Sequence, residues 1–125
     1  LEQVFESSDI VSLHLALTEE TRGMINAHIL SCLRRGCLLI NTARAELVDE
    51  AALLAALKGG SLKMAALDVY WEEPLGANHP LLLLDNVIVT PHIAFKTPEA
   101  TSSLFAIGVN NIIQYFAGEP INIVS

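Results

Sequence analysis

Four short apolar runs, separated by stretches with helical spacing, set the limits on what this chain can fold into. They are Asp9 to Leu15, Cys37 to Ile40, Leu62 to Val69 and Val87 to Thr90. Each is rich in aliphatic or β-branched residues and bounded by turn formers, the pattern of a buried strand. Leu1 to Ser7 reads as the end of a helix, and Leu17 to Gly23 as a polar connection. Asn26 to Leu33 reads as a helix closed by Gly36, with Arg34 and Arg35 suiting its C-terminus. Asp49 can cap a helix from Glu50 to Lys58, in which Leu53, Leu54 and Leu57 form an apolar stripe that Gly59-Gly60 ends. Tyr70 to Asp85 is a long connection. Thr97 to Ala117 reads as one long helix, with Pro98 tolerated in its first turn and Gly118 closing it. Strands alternating with helices imply right-handed crossovers and a parallel sheet, so the expected architecture is α/β and Rossmann-like, with flanking helices.

The chain has 125 residues, 52% of them hydrophobic, which is enough for one buried core and short for two. Seven basic residues against fourteen acidic ones give a net charge of -7. That balance argues against a nucleic-acid partner, because phosphate-backbone affinity comes from clustered Lys and Arg. Cys32 and Cys37 have no further Cys or nearby His to complete a metal site, so two free thiols and no metal are expected. The longest leucine run, Leu81 to Leu84, is far too short to span a bilayer. A soluble, cytoplasmic chain with no membrane partner is the expectation.

Three of the runs end in residues with chemistry to offer. Val87-Ile88-Val89-Thr90 is followed by Pro91-His92, Leu38-Leu39-Ile40 by Asn41-Thr42-Ala43-Arg44, and Met64 to Val69 contains Asp68 and leads to Glu72-Glu73-Pro74. The carboxyl edge of an open α/β sheet is where ligands bind. An arginine there can hold a carboxylate through two parallel hydrogen bonds. A histidine changes charge near neutral pH and can give or take a proton, and a carboxylate beside it favours the protonated ring. Local chemistry offers plainer roles as well. Arg44 could pair with Glu46 or Asp49, Glu72-Glu73 could be a solvated acidic loop, Asp68 could start a turn, and Trp71 is better read as cover for the core.

These segments, together with Ser8-Asp9-Ile10-Val11-Ser12-Leu13-His14, Leu17-Thr18-Glu19-Glu20-Thr21 and Leu47-Val48-Asp49-Glu50, resemble the nicotinamide-binding domain of the D-isomer-specific 2-hydroxyacid dehydrogenases over nearly the whole chain. The resemblance implies hydride transfer between NAD(H), with NADP not excluded, and a small 2-hydroxy or 2-keto acid. It implies Arg44 as carboxylate anchor, His92 as acid–base residue and Glu73, immediately before proline, as its carboxylate partner. Leu15, Ala16, Leu17, Thr18, Thr42, Ala43, Asp68, His92 and Ala94 match cofactor-contacting positions, Asp68 as acceptor for the nicotinamide carboxamide. His14 is read as a structural strand-end residue, and His28 and His79 as surface residues. Two positions depart from the family pattern. Ala45 stands where glycine is usual, which would strain a backbone requiring positive φ, and Ala16 replaces a usual proline, loosening its turn.

The sequence contains no Gly-x-Gly-x-x-Gly turn after an opening strand, no acidic residue about 20 positions beyond it, and no substrate domain. Residues 1–125 are therefore expected to be the nicotinamide half of an NAD-binding domain, working as a homodimer in its full-length form. The alternative is a truncated noncatalytic module of the same fold that senses nucleotide or binds protein. The resemblance implies the strand order 3-2-1-4-5-6, with Asp9 to Leu15 as strand 3 and the later runs as strands 4, 5 and 6. Two empty places would then leave strand 3 roughly 14 Å from strand 4. The gap must be filled by a missing segment, by movement of strand 3 to strand 4, or by a second chain.

Overall fold

In a computed structural model, which describes residues 1–124, the four runs become β1 (Ile10–Leu13), β2 (Leu38–Asn41), β3 (Met64–Leu67) and β4 (Val87–Val89). They form one sheet in the order β1-β2-β3-β4, with every pairing parallel. Leu13 lies beside Asn41, Asn41 beside Leu67, and Leu67 beside Val89, so the carboxyl ends of all four strands are level.

The expected two-place gap is absent. β1 pairs directly with β2 from Ile10 beside Leu38 to Leu13 beside Asn41, the second of the three outcomes open to it. An apolar strand edge lowers its free energy by hydrogen bonding to the nearest strand of matching alternation, and β2 offers that partner. Among the described residues the outer strands of the sheet are β1 and β4.

Four helices accompany the strands: α1 (Glu2–Ser7), α2 (Ala27–Ser31), α3 (Glu50–Gly59) and α4 (Pro98–Phe116). The described residues form two compact units, Leu1–His92 and the segment from Ile93 onward that holds α4. Within the first unit α1 touches α2 and α2 touches α3. Phe5, Ile29, Leu30, Leu53 and Leu57 join Val11, Leu13, Leu39, Ala65 and Leu67 in one core. Alternate strand residues on the other face are more open, and Ile10 and Ile88 are 56% and 54% exposed. The strands are thus buried on one face, because the helices of this unit cover one side.

Asp49 caps α3 by accepting from the Ala52 amide at 2.7 Å, and Gly60 ends the helix in the left-handed region at φ 75°. Asp49→Ala is expected to cost about 1 kcal/mol of stability, measured as a lower urea midpoint. Asn26 likewise caps α2, which stops at Ser31 instead of running to Leu33. In the second unit Thr97 caps α4 through the Ala100 amide, and Gly118 follows the helix at φ 80°.

The long connection contains a 3-10 turn, Pro80–Leu83, that the sequence pattern does not announce. His79 caps it by accepting from the Leu81 amide, and its other ring nitrogen meets Glu50 of α3 at 2.8 Å. His79 is consequently half-buried and not a surface residue, because Leu81, which follows it, is drawn into the core at 1% exposure. His28 is exposed, as expected, beside Glu2. Cys37 is buried, Cys32 half-buried, and both are free. No helix among the described residues is long and apolar enough to cross a membrane.

Candidate functional site

At the end of β2 the chain turns on a buried asparagine. Asn41 is 2% exposed, and its side chain donates to the Arg44 carbonyl at 2.9 Å and accepts from the Ala43 amide at 3.1 Å. A buried amide must find such partners, and here they fold Thr42-Ala43-Arg44 into a tight bend. The Arg44 guanidinium donates to the Ala43 carbonyl at 2.7 Å. Among the described residues no ion pair ties it to Glu46 or Asp49; Asp49 is instead the cap of α3. Ala45 opens a 3-10 turn, Ala45–Leu47, and is buried. Its φ is not positive, so the expected strain is absent and the alanine methyl packs inside.

After β1, Ser12 and His14 hydrogen bond at 2.8 Å, in keeping with a structural strand-end role. The turn that lacks its proline is fastened by Thr21, whose hydroxyl accepts from the Thr18 amide and donates to the Ala16 carbonyl, both at 2.8 Å. The ends of β1 and β2 enclose an open depression of about 580 Å³ lined by His14, Leu15, Ala16, Leu17, Thr42, Ala43 and Arg44. Thr18 lies immediately beyond it. The structure thus brings together most of the residues that the resemblance marks as cofactor-contacting, and Arg44 with them.

β3 and β4 carry the other half. Asp68 is 3% exposed and accepts the Thr90 hydroxyl. Tyr70, also buried, has its hydroxyl 2.8 Å from both the Leu67 and the Thr90 carbonyls. Burial pushes its phenol above the ordinary range, which keeps the hydroxyl a donor. Glu73 meets His92 with 2.7 Å between Oε2 and Nδ1, while its Oε1 accepts the Tyr70 amide at 2.9 Å. The two hydrogen bonds, that of His92 first, hold the Glu73 carboxyl below the usual carboxylate range. His92 sits at φ 53°, in the left-handed region, which a residue with a Cβ adopts only when its surroundings fix it.

The Glu73–His92 pair borders a cavity of about 260 Å³ whose other walls include Tyr70, Pro74, Leu75, Leu82 and Val89. Arg44 lines the neighbouring depression, which shares no lining residue with this cavity. Arg44, Glu73 and His92 all follow the carboxyl ends of strands in the level sheet. Ala94 belongs to the second unit. Trp71 packs against the core and donates its indole N–H to the Val48 carbonyl at 3.2 Å. Among the described residues no cluster of three His, Cys, Asp or Glu could hold a metal ion.

Asn41 and Thr90 stand in the motifs read from the sequence without a role of their own there, and Tyr70 is not singled out; all three shape the site. The pairing of Asp68 with Thr90 had a signal: Leu67 lies beside Val89, so the next residues along both strands are neighbours, and a buried carboxylate there needs a donor.

Comparison with known proteins gives a consistent picture. Residues 1–94 match the family model described as D-isomer specific 2-hydroxyacid dehydrogenase, NAD binding domain. A glyoxylate reductase from Thermofilum pendens is 46% identical over 119 residues, 95% of this chain and 35% of that protein. A D-isomer specific 2-hydroxyacid dehydrogenase from Xanthobacter autotrophicus, solved with NADPH and MES, is 46% identical with a TM-score of 0.83, covering 100% of this chain and 51% of its own. The NAD-complexed enzyme from Lactobacillus delbrueckii is 32% identical with a TM-score of 0.87, covering 99% and 42%. The chain thus spans about a third of the length of the curated relative named here.

Proposed function

The chain belongs to the D-isomer specific 2-hydroxyacid dehydrogenase family, and from that premise we propose that it is the nicotinamide-side half of an oxidoreductase acting on a small 2-hydroxy or 2-keto acid. It works within a longer polypeptide that also carries the glycine-rich turn and the substrate domain. We read that protein as a cytoplasmic homodimer using NAD or NADP.

The observation that carries the proposal is the 2.7 Å contact between Glu73 and His92 at the sheet's carboxyl edge. A carboxylate accepting from Nδ1–H fixes one ring tautomer and commits that nitrogen. Proton exchange with the substrate oxygen then falls to Nε2. Arg44 anchors the substrate carboxylate and polarises the adjacent carbonyl. The depression of about 580 Å³ at the ends of β1 and β2 suits the nicotinamide end of the cofactor, because it is open and lies between the turns that follow two strands at the sheet's carboxyl edge. Leu15, Ala16, Leu17, Thr18, Thr42 and Ala43 would hold it, with Asp68 nearer His92; Ala94 is added by the family resemblance alone. When bound, the cofactor supplies or accepts the hydride.

The test is oxidation of NADH and NADPH by the full-length protein with glyoxylate, hydroxypyruvate and bulkier 2-keto acids. Turnover of at least one is expected, and none with any acid would overturn the proposal in favour of a noncatalytic module. Arg44→Lys should lower kcat/KM by about tenfold or more, since a point charge cannot replace the planar fork.

A further inference from the structure

One residue touches Glu73 directly and reaches the His92 backbone through a shared carbonyl. The Tyr70 amide donates to Glu73 Oε1 at 2.9 Å, while Oε2 of the same carboxylate meets His92 Nδ1. The Tyr70 hydroxyl lies 2.8 Å from the Thr90 carbonyl, and that carbonyl also accepts the His92 amide at 3.0 Å. The hydroxyl lies equally near the Leu67 carbonyl of β3, which accepts the Thr90 amide at 3.0 Å. Acid and base are thus linked twice, once through their side chains and once through the backbone of β3 and β4, and both links meet at Tyr70.

We propose that Tyr70 is the positioning residue of the pair, its amide orienting the acid and its hydroxyl fixing the backbone that carries the base. The hydroxyl sits where the chain most needs holding. His92 lies two residues beyond Thr90 at φ 53°, a conformation that relaxes unless its neighbours are held. Pro91, between them, has no N–H to help. A phenylalanine would fill the same space and leave both carbonyls with their amide donors, so the fold does not depend on the hydroxyl. The register of His92 does. The proposal rests on reading Glu73 and His92 as the proton-handling pair, yet its measurements need neither substrate nor turnover, so the failure of either idea shows separately.

The test is Tyr70→Phe in this chain, with Glu73→Gln as the reference for an uncoupled ring. In the parent chain the imidazole 15N shifts should report Nδ1–H as the dominant neutral tautomer. In Tyr70→Phe they should move toward the Glu73→Gln mixture, while the Glu73 carboxyl titrates about half a pH unit higher. In the full-length protein kcat should fall about threefold with KM little changed. Parent-like tautomer and titration in Tyr70→Phe would overturn the proposal. Should that variant fail to fold, the parent chain decides: a slowly exchanging Tyr70 hydroxyl proton with a nuclear Overhauser contact to the His92 amide proton supports the proposal, and its absence overturns it.

Discussion

Replacing His92, the proposed acid–base residue, with glutamine in the full-length protein is expected to lower kcat by about a hundred- to ten-thousandfold, the span a positioned general acid–base residue contributes. That corresponds to about 3–5 kcal/mol of transition-state stabilisation. Glutamine keeps a polar end but does not titrate near neutral pH, so turnover should fall far more than cofactor affinity. Steady-state kinetics with a separate cofactor titration distinguishes the two, and equal losses in both would mean that His92 only shapes the site. Glu73→Gln isolates the partner. The Glu73 carboxyl is held below its ordinary range in the folded chain. Its contribution to stability is therefore complete above the ordinary carboxylate range and is lost as pH falls through the lower range where the folded group titrates. Thermal midpoints of the parent and of Glu73→Gln should differ near neutral pH and converge in acid.

Phe5→Ala is expected to destabilise the chain by about 3–5 kcal/mol, the usual cost of emptying a buried phenylalanine site. Phe5 is 1% exposed and is the one buried residue of α1. A six-residue helix has no stability of its own, so α1 stays docked through this ring, assisted by the bond from the Arg34 amide to the Phe5 carbonyl. Against a typical total of about 5–15 kcal/mol, the loss would leave the variant marginal. Urea denaturation should show a much lower midpoint, and a change under about 1 kcal/mol would mean that α1 is held by something else.

Much of the architecture could be read from short-range pattern, because helix caps and apolar runs are local. Asp49, Gly60 and Gly118 act as expected, and three of the four strands fall inside the expected runs, while β2 extends one residue further, to Asn41. What failed depended on contacts distant in sequence. The direct pairing of β1 with β2 is decided by which edge is available, which no run of residues encodes. His79 looked like a loop residue because the burial of Leu81 and the approach of Glu50 appear only once α3 and the long connection meet. Ala45 seemed strained by comparison with glycine, yet the bend is set by Asn41, four residues earlier. For the site, strand exits pointed to Arg44, Glu73 and His92. Singling out Glu73 over Glu72 required the resemblance, and Tyr70 was invisible because its role is carried by one hydroxyl and one amide.

The order β1-β2-β3-β4 also bears on how the chain acquires its structure. Among the described residues each strand pairs with its neighbours in sequence, so none of these pairings waits for a segment made much later. A growing chain leaving the ribosome can add β2 to β1, then β3 to β2, then β4 to β3. Every closure spans only a few tens of residues, which keeps the loop-entropy barrier low for a parallel sheet. The Glu73–His92 pair joins the last two strands added, so it assembles on a platform that is already in place.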